Sequence, residues 1–283
     1  MNYKALILDL DGTVYVDSKP IKDIISKLNK FKEEGNKLIY LSNNTTVSRS
    51  VYYQKLTKLG LNVSDGEVVT PITIAGAYLA KKYKKGYTVG TISFLTELEQ
   101  SFKITQDEVD PEFVLITFDN ELTYEKLKIA CQHINNGIPY YITHIDLACP
   151  SEKGPIPDCG SIALLVESTT KQKPCNDFGK PSNEMVAHIQ SLIPNIPKSD
   201  VLMGGDRLYT DIALGNKLGV QTLLVLTGES KFEDIANQKN NIFIVNHCSE
   251  TLADFMDDIE IEFIPFTYDI FAIDPFANYI SSR

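Results

Sequence analysis

Several features of membrane, secreted or zinc-dependent proteins are missing from this sequence. No apolar run approaches the roughly 20 residues that cross a bilayer, and the N-terminus shows no basic region followed by a cleavage site. The 5 cysteines include no CxxC pair, and the 4 histidines show no HxxxH or HExxH spacing. These absences predict a reduced, cytoplasmic protein without zinc, in which Cys149, Cys159 and Cys175 are candidates for redox sensitivity.

Positive charge is also scarce. The 283 residues include 27 Lys and Arg against 37 Asp and Glu, so the formal net charge is −10. This balance argues against a nucleic-acid surface and against an anionic membrane as partners. A small anionic substrate stays open, provided that a metal ion and a few donors neutralise the site locally.

The chain has the length and periodicity of a two-part α/β protein. Short apolar strands alternate with helical patterns from Lys4 onwards, which predicts a parallel sheet with right-handed crossovers. The predicted fold class is α/β: a Rossmann-like parallel-sheet core over residues 1–79 and 179–261, with an inserted α/β cap at 80–178. Residues 262–283 form a C-terminal tail without clear periodicity, and its role stays open.

Within these limits, short apolar runs and helical spacings predict individual elements. In the cap we expect strands at 87–92, 113–118, 139–143 and 161–166, helices at 96–102 and 123–135, and a loop at 168–178. In the core we expect strands at 5–8, 37–41, 201–203, 221–226 and 241–245 and, among other helices, one at 72–83.

Polar side chains lie at three predicted strand ends and at the return from the insert, which are far apart in the sequence. They are Asp9 and Asp11; Ser42, Asn43 and Asn44; Lys180; and Asp206 and Asp211. Because the carboxyl ends of parallel strands share one edge, these groups can converge on one crevice. Each group also has a purely structural explanation. These are an acidic turn at a strand end for Asp9 and Asp11, a helix N-cap and turn for the serine and asparagines, a solvated lysine, and a carboxylate pair at a helix N-terminus for Asp206 and Asp211.

Taken together, the groups have the composition that covalent phosphoryl transfer requires. One aspartate can attack phosphorus while a second acts as acid and base. Ser42, the amides near Asn43 and Asn44, and Lys180 can donate to phosphoryl oxygens. A carboxylate cluster calls for a hard divalent cation, which favours Mg²⁺ over Zn²⁺.

The four segments resemble, in order, the four motifs of the haloacid dehalogenase-like hydrolase superfamily. They read Asp9-Leu10-Asp11-Gly12-Thr13, Ser42-Asn43-Asn44, Gly179-Lys180-Pro181, and Gly205-Asp206-Arg207-Leu208-Tyr209-Thr210-Asp211. The size and position of the insert, and the stretch 215–228, resemble the branch that contains 4-nitrophenylphosphatases and NagD-type nucleotidases. The resemblance covers nearly all of residues 4–230.

This resemblance implies a role for each matching residue. Asp9 is implied as nucleophile and Mg²⁺ ligand, and Asp11 as general acid and base that ligates Mg²⁺ through its carbonyl oxygen. Thr13 orients Asp11, and Lys180 stabilises the charge on Asp9 and the phosphate. The remaining implied roles are phosphoryl binding by Ser42 and Asn43, metal binding by Asp206, and support of the metal site by Asp211.

In the predicted cap, residues 141–146 resemble the substrate loop of the family. His144 and Asp146 are therefore candidate substrate-binding residues. Related enzymes often have Asn or Asp where His144 stands, and a merely structural histidine is the other explanation.

The expected activity is Mg²⁺-dependent hydrolysis of a small phosphorylated metabolite through an aspartyl-phosphate. 4-Nitrophenyl phosphate is the expected substrate in vitro, and a nucleotide, a sugar phosphate, phosphoglycolate or pyridoxal phosphate is the expected natural one. The alternatives are a phosphotransferase on the same scaffold and a non-catalytic protein that binds phosphometabolites. The cap is a candidate homodimer surface.

Overall fold

A computed structural model of the chain describes residues 2–16, 19–64, 66–151, 153–238 and 242–261. Its strands are β1 (Ala5–Asp9), β2 (Tyr15–Val16), β3 (Lys19–Pro20), β4 (Lys37–Leu41), β5 (Val68–Val69), β6 (Lys85–Val89), β7 (Thr105–Gln106), β8 (Val114–Ile116), β9 (Tyr140–Ile142), β10 (Ala148–Cys149), β11 (Ile156–Pro157), β12 (Val201–Gly205), β13 (Gln221–Val225) and β14 (His247–Ser249). Its helices are α1 (Ile24–Glu33), α2 (Arg49–Lys58), α3 (Pro71–Leu79), α4 (Ile92–Phe102), α5 (Tyr124–Asn135), α6 (Cys159–Thr170), α7 (Asn183–Leu192), α8 (Ala213–Leu218), α9 (Phe232–Ala236) and α10 (Leu252–Met256). A 3₁₀ turn (Lys198–Asp200) precedes β12, and a π-helical turn (Leu208–Ile212) precedes α8.

The chain divides into two compact units. One consists of residues 1–40 and 193–283, and the other is the continuous stretch 41–192. The second unit thus interrupts the first in the sequence, as an insertion does. The predicted limits of the cap, 80–178, are narrower than this unit and stay a prediction, and the predicted tail, 262–283, lies outside the described residues.

The first unit is built on a parallel sheet. Its strands lie in the order β14, β13, β12, β1, β4. β1 runs parallel to β12 with Ala5 opposite Val201, and β12 runs parallel to β13 with Leu202 opposite Gln221. Every residue of β1 and of β12 is buried, because apolar Leu, Ile, Val and Met side chains cover both faces of these central strands.

The second unit has its own parallel sheet, in the order β7, β6, β8, β9. The inward faces of α5 and α6 pack against it and form one core cluster with β6, β8 and β9. The prediction of an α/β fold with parallel sheets is therefore confirmed. None of the helices in the described part of the chain is both long and apolar enough to span a bilayer.

One predicted strand of the cap is wrong. Residues 161–166 belong to α6, which also takes the first three residues of the predicted loop 168–178. The run Ile-Ala-Leu-Leu-Val looked like a buried strand, but its burial has helical spacing: Ile162, Ala163 and Val166 are buried, and Leu164 is exposed. Asp158 caps the helix by accepting a hydrogen bond from the Cys159 N–H.

The predicted strand 241–245 is also wrong. The described residues of this stretch form no strand. The strand of the sheet in this region is β14, which begins at His247, two residues after the predicted strand ends. Side chains explain the difference. Asn216 Nδ2 donates to the Ile244 carbonyl over 2.8 Å, and the Ile244 N–H donates to Asn216 Oδ1 over 2.8 Å. These backbone groups are thus satisfied without a neighbouring strand.

Candidate active site

Three buried carboxylates of the first unit come together at one edge of its sheet. Asp9 is the last residue of β1, Asp206 follows β12, and Asp211 lies in the π-helical turn. Because β1 and β12 are parallel neighbours, their carboxyl ends coincide. One carboxylate oxygen from each residue lies within 4.8 Å of the others, and the three residues are at most 7% exposed.

Backbone and hydroxyl donors hold this cluster. The Glu229 N–H donates to Asp206 Oδ2 over 2.7 Å, and the Arg207 N–H donates to Asp211 Oδ2 over 3.1 Å. The Thr13 hydroxyl lies 3.5 Å from Asp9 Oδ2 and donates to it. The family resemblance implied that Thr13 orients Asp11, whereas the hydrogen bond of its hydroxyl in the structure is to Asp9.

Glycines make room for the carboxylates. A Cβ atom at Gly228 would overlap Asp206 Oδ2, and one at Gly205 would overlap the Asp211 side chain. At Gly12, where φ is 89°, a Cβ would lie 2.8 Å from Asp206 Oδ2. The loop that carries Gly228 was part of the sequence resemblance, but its contact with the cluster could not be read from the sequence.

Asp11 lies apart from the cluster. Its side chain is exposed, and the Tyr15 hydroxyl donates to Asp11 Oδ2 over 3.3 Å. Among the described residues, the carboxylate group that can share a metal consists of Asp9, Asp206 and Asp211. Asp11 was expected to reach a metal through its carbonyl oxygen only, and an exposed carboxylate is suited to exchange protons with a substrate.

The chemistry of the cluster fits a divalent cation. Three carboxylates within 4.8 Å of one another repel each other unless a proton or a cation neutralises them. Oxygen is the donor that hard cations such as Mg²⁺ and Ca²⁺ prefer. Asp9, Asp206 and Asp211 are therefore the residues that would hold such an ion.

The expected phosphate-binding residues of the second unit follow directly on β4. Ser42 and Asn43 are buried, and the Ser42 hydroxyl donates to the Tyr52 hydroxyl over 3.3 Å. Asn44 Oδ1 accepts from the N–H and the hydroxyl of Thr46 over 2.9 and 2.7 Å. Asn44 thus serves its own turn, as its structural explanation predicted.

Asn43 joins the start of the second unit to its end. Its Oδ1 accepts from the Lys180 N–H over 2.8 Å, and its Nδ2 donates to the Lys180 carbonyl over 3.3 Å. The same Nδ2 donates to Asp146 Oδ2 over 3.0 Å. The structure therefore brings together Asn43, Asp146 and Lys180, three of the residues selected from the sequence. All three are buried.

His144 is fully buried in the second unit. Its Nε2 donates to Asp158 Oδ1 over 2.7 Å, and its Nδ1 lies 3.0 Å from the Thr143 hydroxyl. Both ring nitrogens are thus engaged inside the protein, and the substrate-binding role expected for His144 stays a prediction. Sequence reasoning missed Asp158, although a helix-capping aspartate before Cys159-Gly160 was a signal for it.

Comparison with known families identifies the chain. Residues 6–101 match the family model described as haloacid dehalogenase-like hydrolase, and residues 177–251 match a second model described as HAD-hydrolase-like. The two matches contain the carboxylate cluster and the segments that carry Asn43 and Lys180.

Individual relatives agree with this assignment. The acid sugar phosphatase of Staphylococcus aureus (strain USA300) is 31% identical over 239 residues, which cover 83% of this chain and 91% of that protein. The crystal structure of 4-nitrophenylphosphatase from Thermotoga maritima superimposes with a TM-score of 0.83 at 34% identity, covering 90% of this chain and 97% of that chain.

A third relative was solved with metal ions. Glycerol phosphate phosphatase from Mycobacterium tuberculosis, in complex with calcium, has a TM-score of 0.78 at 25% identity, covering 88% of this chain and 74% of that chain. Its complex with magnesium gives a TM-score of 0.79 at 24% identity, covering 89% of this chain and 76% of that chain. The chain described here therefore belongs to the haloacid dehalogenase-like hydrolases and is a phosphatase of their 4-nitrophenylphosphatase and NagD-type branch.

Proposed function

We propose that this protein is a Mg²⁺-dependent phosphatase that hydrolyses small phosphomonoesters through an aspartyl-phosphate on Asp9. The observation that supports this most is the buried cluster of Asp9, Asp206 and Asp211 at the carboxyl end of β1. Mg²⁺, when bound by these residues, would neutralise their charge and part of the phosphoryl charge.

The chain's own groups perform the two half-reactions. A carboxylate oxygen of Asp9 attacks phosphorus, the bond from phosphorus to the leaving oxygen breaks, and Asp11 donates a proton to that oxygen. Asp11 then takes a proton from water, the water oxygen attacks the phosphorus, and inorganic phosphate leaves with the Asp9 carboxylate restored. The hydrogen bond from Thr13 keeps the attacking carboxylate in one orientation.

Three further residues are proposed to act on the phosphoryl group. Ser42 and Asn43 are proposed to hold the phosphoryl oxygens, and the Lys180 ammonium to balance the charge on them. Ser42, Asn43 and Lys180 are 4%, 8% and 3% exposed. This burial supports these roles, because donors that are already held in place do not have to reorganise during the reaction.

We propose sugar phosphates as the natural substrate class and 4-nitrophenyl phosphate as a substrate in vitro. The names of the relatives from S. aureus and T. maritima support these two choices. Nucleotides, phosphoglycolate and pyridoxal phosphate stay candidates to be tested with them, and so does transfer of the phosphoryl group to a sugar hydroxyl.

The test is phosphate release from a panel of these compounds, with Mg²⁺ and with EDTA. We expect Mg²⁺-dependent turnover in the wild type, and a loss of about a thousandfold or more in Asp9→Asn, because the nucleophile is removed. Asp110→Asn is the matched control: the same chemical change at a carboxylate that is 85% exposed should leave turnover unchanged.

Two outcomes would contradict the proposal. Turnover that is equal with EDTA and with Mg²⁺ would contradict the metal dependence. Retention of full turnover in Asp9→Asn would contradict the aspartyl-phosphate. Loss of the phosphoryl group to an added sugar, with no inorganic phosphate released, would favour the transferase instead.

A further inference from the structure

A chain of buried hydrogen bonds runs through the second unit, and it begins at the N-terminus of α6. Asp158 Oδ1 accepts from the Cys159 N–H over 2.6 Å and from His144 Nε2 over 2.7 Å. Asp158 is 4% exposed and His144 is fully buried. A buried carboxylate that loses its donor is costly, so this pair strongly favours one placement of the His144 side chain.

The segment 143–147 is fastened to the same helix end by its backbone. The Asp146 carbonyl accepts from the Gly160 N–H over 2.8 Å. The Leu147 carbonyl accepts from the Asp158 N–H over 3.1 Å and from the Ser161 hydroxyl over 2.6 Å. A Cβ atom at Gly160 would overlap the Ile145 carbonyl, so the segment lies directly on the helix backbone.

From this segment two contacts reach Asn43 and Lys180. Asp146 Oδ2 accepts from Asn43 Nδ2, which leaves Asn43 Oδ1 facing the Lys180 N–H. The second contact is between Gly179 and His144: a Cβ atom at Gly179 would overlap the Cβ of His144. The position of the residue before Lys180 therefore depends on where His144 lies.

We propose that His144 and Asp158 are positioning residues for the phosphatase reaction. Their buried pair fixes the segment 143–147, through which Asp146 orients the Asn43 carboxamide and His144 seats Gly179 beneath Lys180. This inference rests on the proposed function, in which Asn43 and Lys180 act on the phosphoryl group. It gives His144 a role inside the protein instead of at the substrate.

A metal site is the other use that these residues suggest. Ligand atoms of His144, Asp146 and Asp158 lie within 4.8 Å of one another. However, His144 Nε2 bonds to the Asp158 carboxylate and so carries a hydrogen, and the lone pair of Nδ1 then accepts from the Thr143 hydroxyl over 3.0 Å. Asp146 likewise accepts from Asn43. The arrangement is that of a hydrogen-bond chain.

The test uses three variants with two readouts. His144→Leu removes both ring nitrogens, and Asp158→Ser keeps a capping oxygen but cannot reach His144. His144→Gln keeps an N–H group that can donate to Asp158.

The first readout is the pair of Asn43 side-chain NH₂ signals in ¹⁵N–¹H NMR spectra, assigned by their loss in Asn43→Asp. The second is kcat and KM for 4-nitrophenyl phosphate.

We expect His144→Leu and Asp158→Ser to shift the Asn43 signals. Both variants should also lower kcat by about tenfold to a hundredfold, with a smaller change in KM, because displaced Asn43 and Lys180 would stabilise the transition state poorly. His144→Gln should stay close to the wild type. Asp119→Ser is the matched control, since Asp119 is 3% exposed and bonds to Lys126 over 2.7 Å in the same unit. It should lower the melting temperature but leave kcat and the Asn43 signals unchanged.

The inference is overturned if both loss variants fold and keep wild-type Asn43 signals and kcat, or if Asp119→Ser lowers kcat as much as they do. If one loss variant does not fold, the other decides, and failure of both to fold would show a pair that serves stability instead of position. If the wild type itself releases no phosphate, the proposed function fails, and the NMR signals still decide whether the pair positions Asn43.

Discussion

Close packing around single atoms defines the carboxylate cluster. Asp206 Oδ2 accepts a hydrogen bond from the Glu229 N–H, and Gly12 and Gly228 leave no space for a side chain beside this carboxylate. The cluster therefore depends on residues without side chains as much as on the acidic residues themselves. An alanine in such a place must push the carboxylate away.

Gly228→Ala tests this dependence. The added Cβ would overlap Asp206 Oδ2, so the carboxylate must turn and the three acidic groups can no longer share one cation. We expect kcat to fall by about a hundredfold and the Mg²⁺ concentration for half-maximal turnover to rise. Titration of turnover with Mg²⁺ measures both.

Gly66→Ala is the control for this prediction. A Cβ at Gly66 meets no atom within 4 Å, so its turnover and Mg²⁺ response should match those of the wild type. An unchanged Mg²⁺ response in Gly228→Ala would show that the Asp206 carboxylate does not take part in metal binding.

The acidic residues of the cluster were predictable, and much of their surroundings was not. Asp9, Asp206 and Asp211 were selected because strand-end carboxylates of parallel strands share one edge. Asp158 was missed, because its partner His144 lies 14 residues away and pairs with it only through the tertiary structure. A sequence shows which residues can donate or accept, but the partner depends on the packing.

At the scale of elements, each unit contains strands that were easy to place and one predicted strand that is wrong. The predicted strands 5–8 and 37–41 are bounded by polar residues and correspond to β1 (Ala5–Asp9) and β4 (Lys37–Leu41). The apolar run at 162–166 in α6 is also bounded by polar residues, Ser161 and Glu167, and it satisfies the patterns of a buried strand and of a helix equally. Only the helix cap at Asp158 distinguishes the two.

The helix α7 contains a residue that links stability to pH. Burial lowers the pKa of His188 below its ordinary value of 6.5, because desolvation disfavours the imidazolium. The unfolded chain therefore binds more protons than the folded one as the pH falls through 6.5, so the protein loses stability towards acid. When the pH is lowered from about 7.5 to about 5.5, we expect the melting temperature of His188→Gln to fall less than that of the wild type.

Thermal unfolding at the two pH values checks this prediction. Gln190→Ala, an exposed change on the same helix, should shift the melting temperature by the same amount at both pH values. A wild-type protein and a His188→Gln variant with the same pH dependence would show that another group causes the loss.

At the scale of the whole molecule, its cysteines differ in accessibility. Cys175 is exposed, whereas Cys159 is fully buried at the start of α6, where burial raises the pKa of its thiol to about 12. Because the thiolate is the form that reacts, Cys159 should resist oxidation and alkylation while the protein is folded. The redox sensitivity expected for the region of Cys149, Cys159 and Cys175 would then exclude Cys159.

Iodoacetamide labelling followed by peptide mass spectrometry tests this difference. In the folded protein we expect Cys175 to react at least about a hundredfold faster than Cys159, and both to react at similar rates in denaturant. Cys175→Ser, as control, should leave Cys159 just as slow. Equal labelling of both residues in the folded protein would mean that the second unit opens readily.

Some properties of the whole molecule stay predictions. The cytoplasmic location rests on the sequence composition, and the cap stays a candidate homodimer surface. The same holds for the absence of nucleic-acid and membrane partners, which was inferred from the charge balance. Sequence patterns predict buried faces well, but which exposed face meets a partner depends on surfaces that a single chain does not define.

The pairing of β1 with β12 has a consequence for the newly made protein. Ala5 lies opposite Val201, so the partner of the first strand is synthesised almost two hundred residues later. At typical rates of translation this interval lasts roughly 10–40 s. β1 can meet β4 early, but its other edge stays open until β12 leaves the ribosome. Catalytic competence therefore arises only after Asp211 has been made, and a truncated product that ends before Asp206 would lack two of the three carboxylates of the cluster.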